Sequence, residues 1–409
     1  MKRLIAVLIV LTIVLVSASA AGTRDVSHLI PVESAGFEDG IYFAQEPGFA
    51  ERSGWKYVVT LEVAGGRIVS ADWNGAHRNA GLDKKTLDKM GGYQMVARGG
   101  AIDEWYVQAQ RVEQKLIETQ DLASLPYDEG GYTDAVSGVT IHINEFVDLA
   151  AEALAQGPVG RGPHADGSYF AQDLQFPERG SWKSTVRLTV INGYIVAANW
   201  SGVNPQGDDK KTVDRAGGYQ MVARGGAIDE WYVQAGRVEA HLLETQDPRI
   251  PYDEGGYTDA VSGVTIYIND FVRLVHKALE KGPVGAPPYV DGRYTAQEAD
   301  FNERTGWKST IEILVSGGFI VDVNWSAIHR DGRDKKTVDR AGEYQMVARG
   351  GAIDEWYVQA GRVEAHLLET QNPHIPHDEG GYTDAISGVT IYIDDFVKLA
   401  DKALEGARR

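Results

Sequence analysis

Cysteine is absent from all 409 residues. That one absence removes disulfides, thiolate metal sites, iron–sulfur clusters, c-type haem attachment and a cysteine-linked lipid. Basic charge is scarce. Forty Lys and Arg against 58 Asp and Glu leave a formal net charge of −18. Nucleic acid is excluded as a partner, because a phosphate backbone needs a basic face. Docking on anionic lipid is disfavoured for the same reason. No Ser-His-Asp, zinc or P-loop constellation stands in the sequence. His77 and His329 recur in two of three repeats without a counterpart in the other, which argues against a shared catalytic histidine.

Long apolar runs are missing too, except at the start. In "MKRLIAVLIVLTIVLVSASAAG", Lys2 and Arg3 precede an apolar run from Leu4 to Val16, and Ala18-Ser19-Ala20 offers small residues at cleavage spacing. The pattern is that of a signal peptide over residues 1–20. The run falls short of the ~20 residues that span a bilayer. The expected product is exported, periplasmic or extracellular, and soluble after cleavage. It is membrane-associated only if the peptide stays uncleaved.

What is present is repetition. "DGIYFAQ" at Asp39 returns as "DGSYFAQ" at Asp166 and "DGRYTAQ" at Asp291, and "DEGGYTDAVSGVTI" at Asp128 returns at Asp253 and, with one change, at Asp378. The period of about 125 residues is domain-sized. The expected domains are 36–156, 163–281 and 288–406, joined by short Gly-Pro linkers "GPVGRGPHADG" and "GPVGAPPYVDG".

Within a copy, Ile311, Ile313, Val315, Gly317-Gly318, Ile320, Val321, Val323 and Trp325 spell a β-hairpin. A polar loop containing Asp334-Lys335-Lys336-Thr337 follows. A helix is expected next, with Ile228, Trp231, Ala235, Val238 and Leu242 on one face and Asp229 and Glu230 in its first turn. Phe271, Leu274, Val275, Ala278 and Leu279 mark a closing amphipathic helix. Strands and helices are segregated, so each copy reads as α+β.

The thrice-repeated turn carries the chemistry. A glycine permits a tight turn, hydroxyls follow, and a helix begins within a few residues, where free N–H groups attract an anion. A Gly-rich loop closed by a hydroxyl is the simpler reading. Asp134, Ser137, Gly138 and Thr140 resemble the D-x-x-S/T-G-A-T flavinylation motif of the FMN-binding domain family. The matching positions are Asp259, Ser262, Gly263 and Thr265, then Asp384, Ser387, Gly388 and Thr390. The resemblance extends to the "DGxYxAQ" start, the "GWK" hairpin, the "ETQDP" stretch and the closing helix. It implies FMN joined through a phosphoester to Thr140, Thr265 and Thr390, with non-covalent FMN as the other form, and a flavin transferase as maturation partner. It names no redox donor or acceptor. This sequence differs from the family pattern in having Val139, Val264 and Val389 where the family has alanine. It also has Ile-x-Ile after the threonine, which makes Asn144, Asn269 or Asp394 the expected helix N-cap.

Other residues have two readings each. Trp105-Tyr106, Trp231-Tyr232 and Trp356-Tyr357 suit a core better than a flavin stack. Lys85, Lys211, Lys336, Arg98, Arg224 and Arg349 read as solvated charge before phosphate ligands. Asp128 and Glu129 lack calcium-loop spacing. Two functions remain open. One is an exported flavin-bearing electron carrier rather than a turnover enzyme. The other is an array of degenerate FMN-binding-like repeats with a non-redox binding or structural role.

Overall fold

Each "DGxYxAQ" segment is an edge strand, and the hairpin that follows pairs onto it. The computed structural model describes residues 36–178 and 180–408, so the expected signal peptide at 1–20 lies outside the described residues. The first copy contains β1 (Gly40–Gln45), β2 (Trp55–Ala64), β3 (Arg67–His77), α1 (Lys84–Lys89), α2 (Met95–Gly99), α3 (Trp105–Thr119) and α4 (Asn144–Gln156). The second repeats this order as β4 (Gly167–Gln172), β5 (Lys183–Ile191), β6 (Tyr194–Val203), α5 (Lys210–Arg215), α6 (Met221–Gly225), α7 (Trp231–Thr245) and α8 (Asn269–Lys281). The third does so as β7 (Gly292–Gln297), β8 (Trp307–Ser316), β9 (Phe319–His329), α9 (Lys335–Arg340), α10 (Met346–Gly350), α11 (Trp356–Thr370) and α12 (Asp394–Leu404). Each copy is an α+β unit whose three strands lie in sequence order in one antiparallel sheet. The hairpin turns on Gly317-Gly318 at φ 60° and 81°, and on Asn192-Gly193 at φ 52° and 75°. Two successive positive φ values are the primed turn that matches strand twist.

One aromatic trio holds each copy together. Trp200 on β6 meets Trp231 of α7 at 5.0 Å and Phe271 of α8 at 5.4 Å between centroids. Trp325, Trp356 and Phe396 repeat this, as do Trp73, Trp105 and Phe146. All nine are buried. Large rings from the last strand and both long helices meet at one point, so the sheet fixes where the helices lie.

Two expectations change. The polar stretch at Asp334 is not a loop but the short helix α9, capped by Asp334 Oδ1, which accepts the Thr337 N–H at 2.8 Å. Such a cap contributes about 1 kcal/mol. The long helix begins at Trp231, with Glu230 as its N-cap in extended geometry, so Ile228 and Asp229 precede it and Ile228 is exposed.

The described chain divides into two compact units. One holds the described residues up to Ala44, then Val59–Trp73 and Met95–Pro158; the other holds Gln45–Val58, Asn74–Gln94 and Val159–Arg409. The second unit unites the second and third copies. Phe170 and Phe319 stack at 4.1 Å with planes 7° apart. The Gln172 amide donates to the Ile320 and Leu368 carbonyls at 2.8 and 3.1 Å, and the Lys183 ammonium donates to the Val321 carbonyl. Val203, Leu314 and Val321 form a small cluster of their own. In the same unit, the Thr189 hydroxyl accepts from the Gly81 N–H and donates to the Gly81 carbonyl, each at 2.9 Å.

Candidate functional site

In the motif segment that leads into the closing helix, buried and exposed side chains alternate. Val139, Ile141 and Ile143 are buried; Thr140 and His142 are exposed. The other copies match: Val264, Ile266 and Ile268 inside with Thr265 and Tyr267 outside, and Val389, Ile391 and Ile393 inside with Thr390 and Tyr392 outside. The two departures from the flavinylation pattern are therefore core residues. A valine pointing into the core does not stand between the threonine and solvent. Asp134 and Ser137, with their counterparts Asp259, Ser262, Asp384 and Ser387, are exposed as well.

Two residues of the long helix hold the turn, and both escaped the sequence reading. Gln108, fully buried on α3, accepts the Thr140 N–H at 2.7 Å and the Thr140 hydroxyl at 3.2 Å on one oxygen. Gln234 does this for Thr265, and Gln359 for Thr390, at the same distances. The Gln108 amide nitrogen is spent on the Asp103 carbonyl at 2.8 Å, which fixes which end faces the threonine. One turn along, Arg111 donates to the Gly138 carbonyl at 2.6 Å and pairs with Asp103 at 2.6 Å. Arg237 with Gly263 and Asp229, and Arg362 with Gly388 and Asp354, repeat the arrangement. The recurring Q-A-x-R in "VQAQRVE" and "VQAGRVE" was the available signal.

The motif glycine has a clear cause. Gly138 has φ 78°, and a Cβ there would lie 2.7 Å from Arg111 Nη1. Gly263 and Gly388, at φ 74° and 76°, would each meet their arginine at 2.8 Å. The positive φ favours glycine, and a Cβ would displace the guanidinium that holds the turn.

Asn144, Asn269 and Asp394 are not N-caps. The cap position is Ile143, Ile268 or Ile393, without a side-chain hydrogen bond to the helix. The expected cap residue is instead the first helical residue.

The lysines and tryptophans sort differently from expectation. Lys211 and Lys336 are neither solvated nor turned to the motif. Both are buried in ion pairs, Lys211 with Glu239 and Lys336 with Glu364 at 2.5 Å, and Lys85 is buried too. Burial raises the Glu239 and Glu364 carboxyls above the ordinary range, and the lysines beside them pull back. Lys210 lies 3.9 Å from the Trp231 ring and 4.8 Å from Tyr219; Lys335 repeats this on Trp356 and Tyr344. Burial pushes both ammoniums down to about 8, and the carboxylates Asp214 and Asp270, and Asp339 and Asp395, oppose that shift. Trp105, Trp231 and Trp356 are core, as expected. Arg98, Arg224 and Arg349 are exposed on α2, α6 and α10. Asp128 Oδ1 accepts the N–H groups of Gly130 and Tyr132 at 2.9 Å each, a turn-closing role.

Exposed aromatics flank the motif. Tyr132 meets His142 at 4.4 Å, Tyr257 meets Tyr267 at 4.5 Å, and Tyr382 meets Tyr392 at 6.1 Å.

No family model matches the chain. The 15 kDa lipoprotein of Treponema pallidum (strain Nichols) is 33% identical over 120 residues, 29% of this chain and 77% of that protein. The chain belongs to the family of that lipoprotein. The matched length is close to one repeat. Two solved structures are similar. A Clostridium thermocellum protein solved by NMR is 51% identical over 28% of this chain and 90% of its own, with a TM-score of 0.24. A Clostridium perfringens protein solved by crystallography is 25% identical over 29% and 88%, with a TM-score of 0.24.

Proposed function

We propose that the chain is an exported electron carrier with one FMN joined by a phosphoester to each of Thr140, Thr265 and Thr390. One observation carries the reading: packing accounts for the apolar half of the motif but not for its polar half. Val139, Ile141 and Ile143 are core residues, whereas Asp134, Ser137 and Thr140 are exposed in every copy. Exposed positions beside them do differ, as His142 shows against Tyr267 and Tyr392. The rival reading, a non-redox array, explains the core half and the threonine's bond to the buried glutamine, but not the exposed Asp134 and Ser137.

The residues present fit the group. FMN, when bound, supplies the electron chemistry, and no catalytic acid or base from the chain is then needed. The chain positions and neutralises. The Thr140 hydroxyl proton rests on Gln108 Oε1. Once that oxygen is esterified, the Thr140 N–H still satisfies the buried Gln108 acceptor at 2.7 Å, so loading leaves no orphaned polar atom. Arg111, paired with Asp103 and donating to the Gly138 carbonyl, is the cation the chain would offer a phosphodiester at this turn. The cation sits on a chain of net charge −18, which would favour basic redox partners and make encounter rates fall with salt.

The amino-terminal pattern and kinship with a protein named as a lipoprotein support export. Without cysteine, this chain has no site for a cysteine-linked lipid. Among the described residues, no helix is long and apolar enough to cross a membrane. Protein purified from its own host should be yellow, and the colour should survive denaturation. Colourless protein from that source would contradict the reading.

A further inference from the structure

Exposed aromatic pairs call for an explanation, because water is a poor neighbour for two adjacent ring faces. Here an aromatic pair recurs three times at one place, edge-on in the first and third copies and tilted in the second. Tyr132, Tyr257 and Tyr382 end the "DEGGY" turn, and His142, Tyr267 and Tyr392 stand two residues after the motif threonine. The tyrosines are between 40% and 57% exposed.

The backbone is shaped to hold the second ring. Gly256 has φ 83°, and a Cβ on it would lie 3.2 Å from the Tyr267 ring. On Gly381 it would lie 2.2 Å from the Tyr392 ring; on Gly131 it would meet Asn144 Oδ1 first, at 2.3 Å, with His142 Cβ at 3.4 Å. In the second and third copies the second glycine of "DEGG" therefore makes room beneath an aromatic side chain that stays in solvent. Tyr392 is further fixed by its hydroxyl, which donates to Asp394 at 2.8 Å, and that carboxylate pushes the phenol up to about 12.

Thr140 and His142, Thr265 and Tyr267, and Thr390 and Tyr392 are the exposed residues on either side of one buried isoleucine in each copy, so threonine and ring both lie on the solvent side of the turn.

Resting on the proposed function, we propose that each exposed pair is a stacking platform for the isoalloxazine ring, so that Thr140, Thr265 and Thr390 tether the phosphate end while Tyr132–His142, Tyr257–Tyr267 and Tyr382–Tyr392 hold the ring end. The ligand class is a planar, electron-poor heteroaromatic. The rings contribute dispersion and offset stacking, and no bond is made or broken.

Riboflavin is the probe, because it carries the ring but no phosphate and cannot be esterified to threonine. The unloaded full-length chain should bind riboflavin and quench its fluorescence. In a variant with Tyr132→Ala, Tyr257→Ala, Tyr267→Ala, Tyr382→Ala and Tyr392→Ala together, affinity should fall about tenfold, the equivalent of one good aromatic contact. The matching Tyr→Phe variant should keep the affinity, since it keeps the rings. Riboflavin affinity that ignores the tyrosines would overturn the platform, whatever the intact mass shows about covalent flavin. Affinity that follows the tyrosines in a chain that never accepts covalent FMN would keep the platform and remove the tether.

Discussion

Strands β4 and β7 occupy the same place in neighbouring copies and share a tyrosine and an Ala-Gln ending, yet they face different surroundings. Phe170 and Gln172 of β4 are buried against the third copy, while Thr295 and Gln297, their counterparts on β7, are exposed. The first copy shows the converse on its helix. Gly236 and Ala240 of α7 line a groove of about 580 Å³ together with Gln45, Phe49 and Lys56, whereas Gln110 and Gln114 hold those helix positions in the first copy and are exposed. The fold is the same in each case, so the fold does not choose these residues. Place in the array does. Interior repeats carry small or apolar side chains where a neighbour packs, and terminal repeats carry polar ones, as solubility of a repeat array requires.

The sharpest way to break that comparison is Phe170→Ala against Thr295→Ala. The first should cost about 3–5 kcal/mol in urea unfolding of the full chain, through lost burial and an unfilled cavity. The second should stay within about 0.5 kcal/mol. Equal effects would mean that β4 is not the covered strand. A related test removes the caps. Thr295→Phe combined with Gln110→Gly and Gln114→Ala should produce concentration-dependent association in sedimentation, because both ends then copy the interior faces. A chain that sediments unchanged would show that polarity at the ends is not what stops growth.

The motif offers a finer comparison, between residues facing in and residues facing out. Val264→Ala should destabilise by about 1–2 kcal/mol, since it removes buried methyl groups, and should not raise flavin loading. Higher occupancy without loss of stability would place Val264 on the flavin side after all. Gly263→Ala should cost about 1–2 kcal/mol from positive φ and the Arg237 contact, and Arg237→Ala should relieve part of that cost.

Much of this was legible in the sequence. Strict alternation around Gly317-Gly318 showed the hairpin, and i, i+3, i+4 spacing in Phe271, Leu274, Val275 and Ala278 showed the closing helix. The threefold motif gave the candidate site. What escaped was nonlocal. Lys211 reads as a surface charge until Glu239, 28 residues away, is seen beside it in the core. Gln108 and Arg111 look like ordinary helix polarity until the turn 30 residues later folds onto them. Ile228 fits the helical period but precedes the Glu230 cap, because periodicity does not mark where a helix starts.

A further expected effect is in pH. Lys183 lies at the junction of the second and third copies, and burial holds its ammonium down at about 8. An unfolded lysine titrates near ~10.4. Between those values the unfolded chain binds more protons than the folded one, so stability should rise as pH climbs from about 8 to about 10 and stay flat below. Lys183→Met should remove about 1–3 kcal/mol of that rise in denaturant unfolding. An unchanged slope would show that the Lys183 ammonium stays hydrated.

The most direct measurement is the intact mass of the full chain co-expressed with an active flavin transferase, beside the variant Thr140→Ala, Thr265→Ala, Thr390→Ala. Wild type should gain three FMN units and the variant none, with both chains equally stable. An unmodified wild-type chain, beside a control substrate that the same transferase loads, would contradict covalent flavin at these turns.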